Sequence, residues 1–176
     1  MRLKRNEIAP LFSVIDIHGK IQSTEKYKGK KWMLSFYRYA SCPLCNLRVN
    51  QLTQEYENWL AKDFHIVGVF ESSIESIQQY VGKQEAPFPI IPNPDLSLYH
   101  IYRLESSWVK FVRGTIPVMK AFVKGFRPGK MEGDKSIVPA DFLIKEDGSI
   151  HTAFYGNHIG DHLPIENINQ FLNGSS

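Results

Sequence analysis

The sequence predicts an α/β domain of three layers, with helices on both faces of a central mixed sheet. Short dense apolar runs, readable as buried strands, alternate with stretches of helical spacing, and the last two strands flank Asp147-Gly148, a hairpin signal. No strand is followed by a glycine-rich phosphate loop, which sets the pattern apart from a doubly wound nucleotide-binding sheet. A chain of 176 residues, 43% apolar and 22% charged, fits a single domain over residues 1–176 and excludes disordered or collagen-like sequence.

Taken in order, Leu11 to Ile17 alternates loosely and ends at His18-Gly19-Lys20, a strand followed by a turn. Trp32 to Tyr37 is dense enough in apolar and aromatic residues for a central strand. From Pro43 to Leu60 the apolar positions Val49, Leu52, Tyr56, Trp59 and Leu60 share one helical face. Phe64 to Phe70 is a second buried strand, and Ser72 to Tyr80 a short capped helix. Three prolines after Phe88 leave room only for a short edge strand. Leu96 to Leu104 reads as one helix, and residues 107–126 as two helical pieces broken at Thr115-Ile116-Pro117. Asp141 to Tyr155 is the hairpin, Pro164 to Leu172 a closing helix, and the last four residues a frayed tail.

The net charge of +3 is unevenly placed. Between Arg103 and Lys130 seven basic residues stand against the single acid Glu105, leaving the rest of the chain at a net −3. Nucleic-acid binders spread positive charge more widely, so no nucleic-acid partner is expected. In the basic segment Ile116, Met119, Val123 and Phe126 share a helical face opposite Lys120, Lys124 and Arg127. The preferred reading is a surface helix with solvated lysines. The weighed alternative is a lid, or a contact with an acidic partner or anionic lipid. The basic start meets Pro10 and Asp16 before any long apolar stretch, so no export signal is read and a cytoplasmic site is expected.

The chain has two cysteines, Cys42 and Cys45, three apart and directly after the central strand. Two are too few for a disulfide-stapled scaffold or a four-thiolate zinc site; at this spacing they point to redox chemistry. Pro43 suits the first helical position, which makes Cys42 the cap and puts Cys45 in the first turn. There, unpaired amides and the helix dipole favour thiolate over thiol, and Arg38, four residues upstream, adds positive charge. One thiol attacks and the other resolves. The competing reading, a pair of small buried hydrophobes, is disfavoured because both thiols sit at one strand-to-helix turn. Val138-Pro139 stands just before a late strand. A cis bond there would leave polar groups free for a partner peptide, although trans is the commoner state. His158 and His162 have metal-like spacing, but Gly160 and Pro164 make theirs a loop, so no metal is expected.

Several segments together resemble peroxiredoxin-like proteins of the alkyl hydroperoxide reductase/thiol-specific antioxidant superfamily, in its Cys-x-x-Cys branch. They are Ala9-Pro-Leu-Phe12, Phe36-Tyr-Arg38-Tyr-Ala-Ser-Cys42-Pro-Leu-Cys45, Asn93-Pro94-Asp95 and Pro139-Ala-Asp-Phe-Leu-Ile, spread over residues 8 to about 172. The resemblance implies a thioredoxin-like fold with a helical insertion over about 105–130. It implies an antioxidant or thiol–disulfide exchange enzyme cycling between dithiol and disulfide, with no cofactor. Peroxide or a disulfide would be its substrate, and a thioredoxin or small thiol its reductant. The implied site is Cys42, Cys45 and Arg38, with Val138 and Pro139 at the substrate. The chain departs from the peroxiredoxin pattern Pro-x-x-x-Thr/Ser-x-x-Cys, since Cys45 falls on the peroxide-attacking position while Arg38 and Cys42 replace the proline and the hydroxyl. The family's peroxide-polarising arginine falls near Pro139 and is missing. Thioredoxin logic makes Cys42, expected to be the more exposed, the attacker in disulfide exchange; peroxiredoxin logic makes it Cys45 for peroxide. Outside enzymes, the alternative is a redox sensor or scaffold that turns over poorly.

Overall fold

The computed structural model describes residues 1–105 and 136–174. Most of the basic 105–130 insertion, with Trp108 and the expected helical pieces, lies outside the described residues.

Five strands form the main sheet in the order β5-β4-β3-β6-β7: β3 (Lys31–Phe36), β4 (Phe64–Phe70), β5 (Ile90–Pro92), β6 (Ala140–Ile144) and β7 (Ile150–Tyr155). β3 runs parallel to β4, which runs parallel to β5; β6 is antiparallel to both β3 and β7, so the sheet is mixed as expected. Residue alternation along β3 sorts the two core layers. Trp32, Leu34 and Phe36 face a cluster with Leu98, Tyr99, Tyr102 and Phe142. Met33 and Tyr37 face the other, with Val49, Leu52, Tyr56 and Trp59 of α1 (Pro43–Leu60) and Ile168 and Phe171 of the last helix, α4 (Ile165–Leu172). Trp32 and Trp59 are both core residues, each 1% exposed. This is the thioredoxin-like arrangement, with the end of β3 feeding α1 at the centre of the sheet.

The structure corrects two element boundaries and bears out a third with its caps. The first strand is shorter than read, β1 (Ser13–Ile15), and pairs with a returning strand β2 (Ile21–Ser23) off the main sheet. Asp16 builds that turn: its carboxylate accepts from the His18 and Lys20 amides and from Gln22 Nε2, while Gly19 takes a positive φ of 76°. The short α2 spans Ile74–Gln79, capped by Ser73, whose hydroxyl accepts from the Ser76 amide. The helix expected over Leu96 to Leu104 closes to α3 (Ser97–Ile101), because Leu96 and Arg103 both adopt left-handed backbone.

Candidate active site

β3 ends at Phe36, and the chain turns through Tyr37 to Ser41 into α1 with Cys42 as N-cap and Pro43 in the first turn. Several bonds hold this turn. Tyr37 N–H donates to Val69 O, the Tyr99 hydroxyl donates to Tyr37 O at 2.6 Å, and the Ala40 amide donates to Ser72 Oγ. Asn46 completes it from inside the helix, its Nδ2 donating to Ala40 O (2.7 Å) and Cys42 O (2.9 Å) while Gln84 Nε2 donates to its Oδ1. The Tyr37, Ala40 and Cys42 carbonyls thereby each find a donor within the fold.

Both thiols are free and buried, Cys42 1% and Cys45 0% exposed. The expectation that Cys42 is the more exposed of the two is therefore corrected: exposure does not separate them, and electrostatics does. A hydrogen bond from Cys45 favours the Cys42 thiolate most. Burial opposes it, and the Arg38 guanidinium with the Cys45 and Leu44 amides tips the balance, bringing the Cys42 pKa down to about 6. Arg38 is itself buried, with Nη1 3.8 Å from Cys42 Sγ and its guanidinium carbon 4.9 Å from the Tyr39 ring centre. Burial and the bond to Cys42 push Cys45 the other way, well above the ordinary thiol value. Arg38→Met is expected to raise the Cys42 pKa by about one unit or more, the usual size for losing an adjacent opposite charge. The pH dependence of thiolate absorbance checks this, and an unmoved midpoint refutes it.

Val138-Pro139 leads into β6, as read, but the bond is trans, so the cis alternative falls. The polar groups recorded there are engaged within the chain: Val138 N–H donates to Glu105 O at 3.3 Å and Pro139 O accepts from Gly156 N at 2.9 Å. The loop after β7 packs beside both this proline and the thiol turn. A Cβ at Gly156 would lie 3.1 Å from Val138 Cγ1, and one at Gly160 would lie 2.7 Å from Leu44 Cδ1. These close approaches explain the two glycines.

The same loop brings residues that sequence reading missed. Ser35 on β3 pairs with Asp141 on β6 in the ladder, so both point to the α1 side of the sheet. The Ser35 hydroxyl donates to Asp141 Oδ1 at 2.5 Å, the Leu163 amide donates to Oδ2 at 2.7 Å, and His162 Nδ1 lies 3.1 Å from Oδ2. Arg48 of α1 pins the loop by donating to Leu163 O at 2.7 Å. Burial pushes the Asp141 carboxyl up, but His162, Arg48 and Ser35 outweigh it and hold the pKa at about 2. His158 goes elsewhere, its Nδ1 accepting from the Gly160 amide, so the two histidines do not converge. Among the described residues no group of three or more His, Cys, Asp or Glu side chains could hold a metal ion. Asp141 stood in the sequence as one residue of a strand; only its polarity within an otherwise apolar run hinted at a partner.

The chain is 25% identical over 152 residues, 85% of its own length and 91% of the other's, to a protein of Mycobacterium tuberculosis that carries a peroxiredoxin name. Its fold superposes on the peroxidoxin BcpB of Mycobacterium tuberculosis with a TM-score of 0.69 at 10% identity, covering 98% of this chain and 96% of that one. It also superposes on a thioredoxin-family thiol:disulfide interchange protein of Chlorobium tepidum, with a TM-score of 0.60 at 20% identity over 98% and 97% of the two chains. With two polarised thiols at the head of α1 and the AhpC/TSA family pattern matching residues 6–153, the chain belongs to the AhpC/TSA family and is a thiol-dependent oxidoreductase.

Proposed function

We propose that the chain reduces disulfides through a Cys42/Cys45 dithiol cycle, with Cys42 attacking and Cys45 resolving. The observation that carries this reading is the opposite displacement of the two thiols: Cys42 is held as thiolate near neutral pH while Cys45 keeps its proton. The Cys42 thiolate attacks one sulfur of the substrate disulfide and expels the other as a thiolate. Cys45, once deprotonated, attacks Cys42 Sγ, releases the second substrate thiol and closes the Cys42–Cys45 disulfide. An external dithiol of the thioredoxin class, or a small thiol, then restores the dithiol, returning the two electrons passed to substrate. Such a cycle needs an external reductant, and the cytoplasm, where protein thiols are kept reduced, is the compartment we assign. Both thiols being buried, the surrounding loops must yield before a protein disulfide reaches Cys42.

A second reading, reduction of a hydroperoxide, is favoured by Arg38, whose guanidinium beside Cys42 Sγ suits a developing oxyanion. Residue alignment with peroxiredoxins nominated Cys45 for that step; its raised pKa weighs for Cys42 instead. Val138 and Pro139, beside the loop that rests on Leu44, remain the proposed substrate wall. Insulin-disulfide reduction measured beside hydroperoxide consumption separates the substrates. Cys45→Ser is expected to trap a mixed disulfide on Cys42, and trapping on Cys45 in Cys42→Ser instead would reverse the assignment. Activity surviving in both variants excludes the dithiol cycle, and no activity in the wild-type chain leaves the sensor or scaffold reading.

A further inference from the structure

Attack by Cys42 needs its sulfur held as thiolate in a buried site, where desolvation works against the charge. The first-turn amides of Leu44 and Cys45 oppose that penalty, and an amide helps only while it points at the sulfur. The main chain around Cys42 is held at three successive peptide groups. Ala40 O accepts from Asn46 Nδ2 at 2.7 Å, and Cys42 N–H donates to Tyr39 O at 3.0 Å. Cys42 O accepts twice, from the Asn46 amide at 3.0 Å and from Asn46 Nδ2 at 2.9 Å.

By ordinary criteria Asn46 is out of place in this turn. Asparagine favours a helix interior less than alanine or leucine does, because its amide competes with the backbone. It is also buried, at 8% exposure, where every polar atom needs a partner. Its Oδ1 finds one in Gln84 Nε2 at 2.9 Å. This chain of amides can run in one direction only. Carbonyl oxygens only accept, so Nδ2 must face Ala40 and Cys42, and Oδ1 is left to accept. Gln84, the last residue of a 3₁₀ turn over Val81–Gln84, must then present Nε2. Its Oε1 is left buried, with no hydrogen-bond partner among the described residues. Turning the Gln84 amide round would set Oε1 against Asn46 Oδ1, oxygen on oxygen. The fold keeps an orphan acceptor, at a cost in stability, and with it the orientation of Asn46.

We infer, on the reading of Cys42 as the attacking thiol, that Asn46 is a positioning residue. Its amide, oriented by Gln84, fixes the Ala40 and Cys42 carbonyls so that the amides of the first α1 turn stay aimed at Cys42 Sγ. Neither amide side chain titrates, so their influence on the thiolate is one of geometry. The charged and titratable groups that face Cys42 are Arg38 and Tyr39 in its own turn and Cys45 in α1. Glu71, after β4, stands behind Arg38, its amide donating to Arg38 O at 3.2 Å.

The rate of Cys42 alkylation by iodoacetamide against pH, read from the mass of the Cys42 peptide, tests this. Asn46→Ala is expected to move the midpoint up by about one unit, a usual size for weakening hydrogen bonds to an ionised group. Alkylation at the wild-type midpoint then slows about fivefold, since the thiolate is the reacting form. The plateau at high pH should stay equal or rise by up to about threefold, because a more basic thiolate is the better nucleophile. Gln84→Met removes the donor at similar volume from a half-buried turn. It should move the midpoint the same way by less, and it serves if the first variant does not fold. Thr53→Ala removes a side-chain bond further along α1, to Val49 O at 2.9 Å, and should leave the midpoint in place. Unmoved midpoints in folded Asn46→Ala and Gln84→Met overturn the inference. So does an equal shift in Thr53→Ala, which would reduce Asn46 to helix stability. A wild-type midpoint at the ordinary thiol value overturns the Cys42 reading, and the role of Asn46 with it.

Discussion

Replacing Cys42 by serine is expected to abolish turnover, with a loss on the order of 10³-fold or more, as when a covalent nucleophile is removed. The reason is specific to this turn. The Cys45 hydrogen bond, Arg38 and the amides of the first α1 turn stabilise a thiolate, whereas a serine hydroxyl in the same place stays protonated and is a weak nucleophile. In the wild-type chain, the rate of Cys42 alkylation should rise with pH and level off above a midpoint near 6, because the thiolate is the reacting form. A midpoint near the ordinary thiol value, or alkylation of Cys45 ahead of Cys42, would contradict the assignment. Cys45→Ala should still be alkylated at Cys42, with the midpoint moved upward, since it removes the hydrogen bond from Cys45, the largest influence holding it down.

Asp141→Ala is expected to destabilise the fold by roughly 3 kcal/mol, since it leaves several buried hydrogen-bonding groups unsatisfied at about 1–3 kcal/mol each. It strands the Ser35 hydroxyl, the Leu163 amide and His162 Nδ1 together in a buried site. The cost should depend on pH with a definite sign. The folded pKa of about 2 lies below the ordinary 3.8, so the unfolded chain binds the proton first as pH falls. The contribution is therefore fully present above pH 4 and is lost between about 4 and 2. Its size by linkage is about 2 kcal/mol. Denaturation of wild type and variant across that range should show the gap narrowing as acid is added; a constant gap would mean that Asp141 is not held ionised.

Much of this was legible along the chain. Strand β3 announced itself by unbroken apolar and aromatic residues, α1 by the period of Val49, Leu52, Tyr56 and Trp59, and the hairpin by Asp147-Gly148. The place of both cysteines at a helix start followed from Pro43 alone. Asn46, Ser72 and Gln84, which fasten that turn, were not legible, because their partners are carbonyls and amides whose positions depend on how β3, β4 and α1 meet. The shortening of α3 was hidden for a similar reason. Tyr99 and Tyr102 donate their hydroxyls to backbone carbonyls of Tyr37 and Pro10, a tertiary demand that helical propensity does not express.

Local chemistry determined the order of the elements and put two thiols beside an arginine at the mouth of a helix, since capping, periodicity and turn residues act within a few positions. Only the folded chain decided which thiol ionises, because both are buried and the difference arises from the bond between them and from charge reaching them through space. It alone also created the Ser35, Asp141 and His162 cluster, since strand register joins residues 106 positions apart and low-dielectric packing gives their contact its strength.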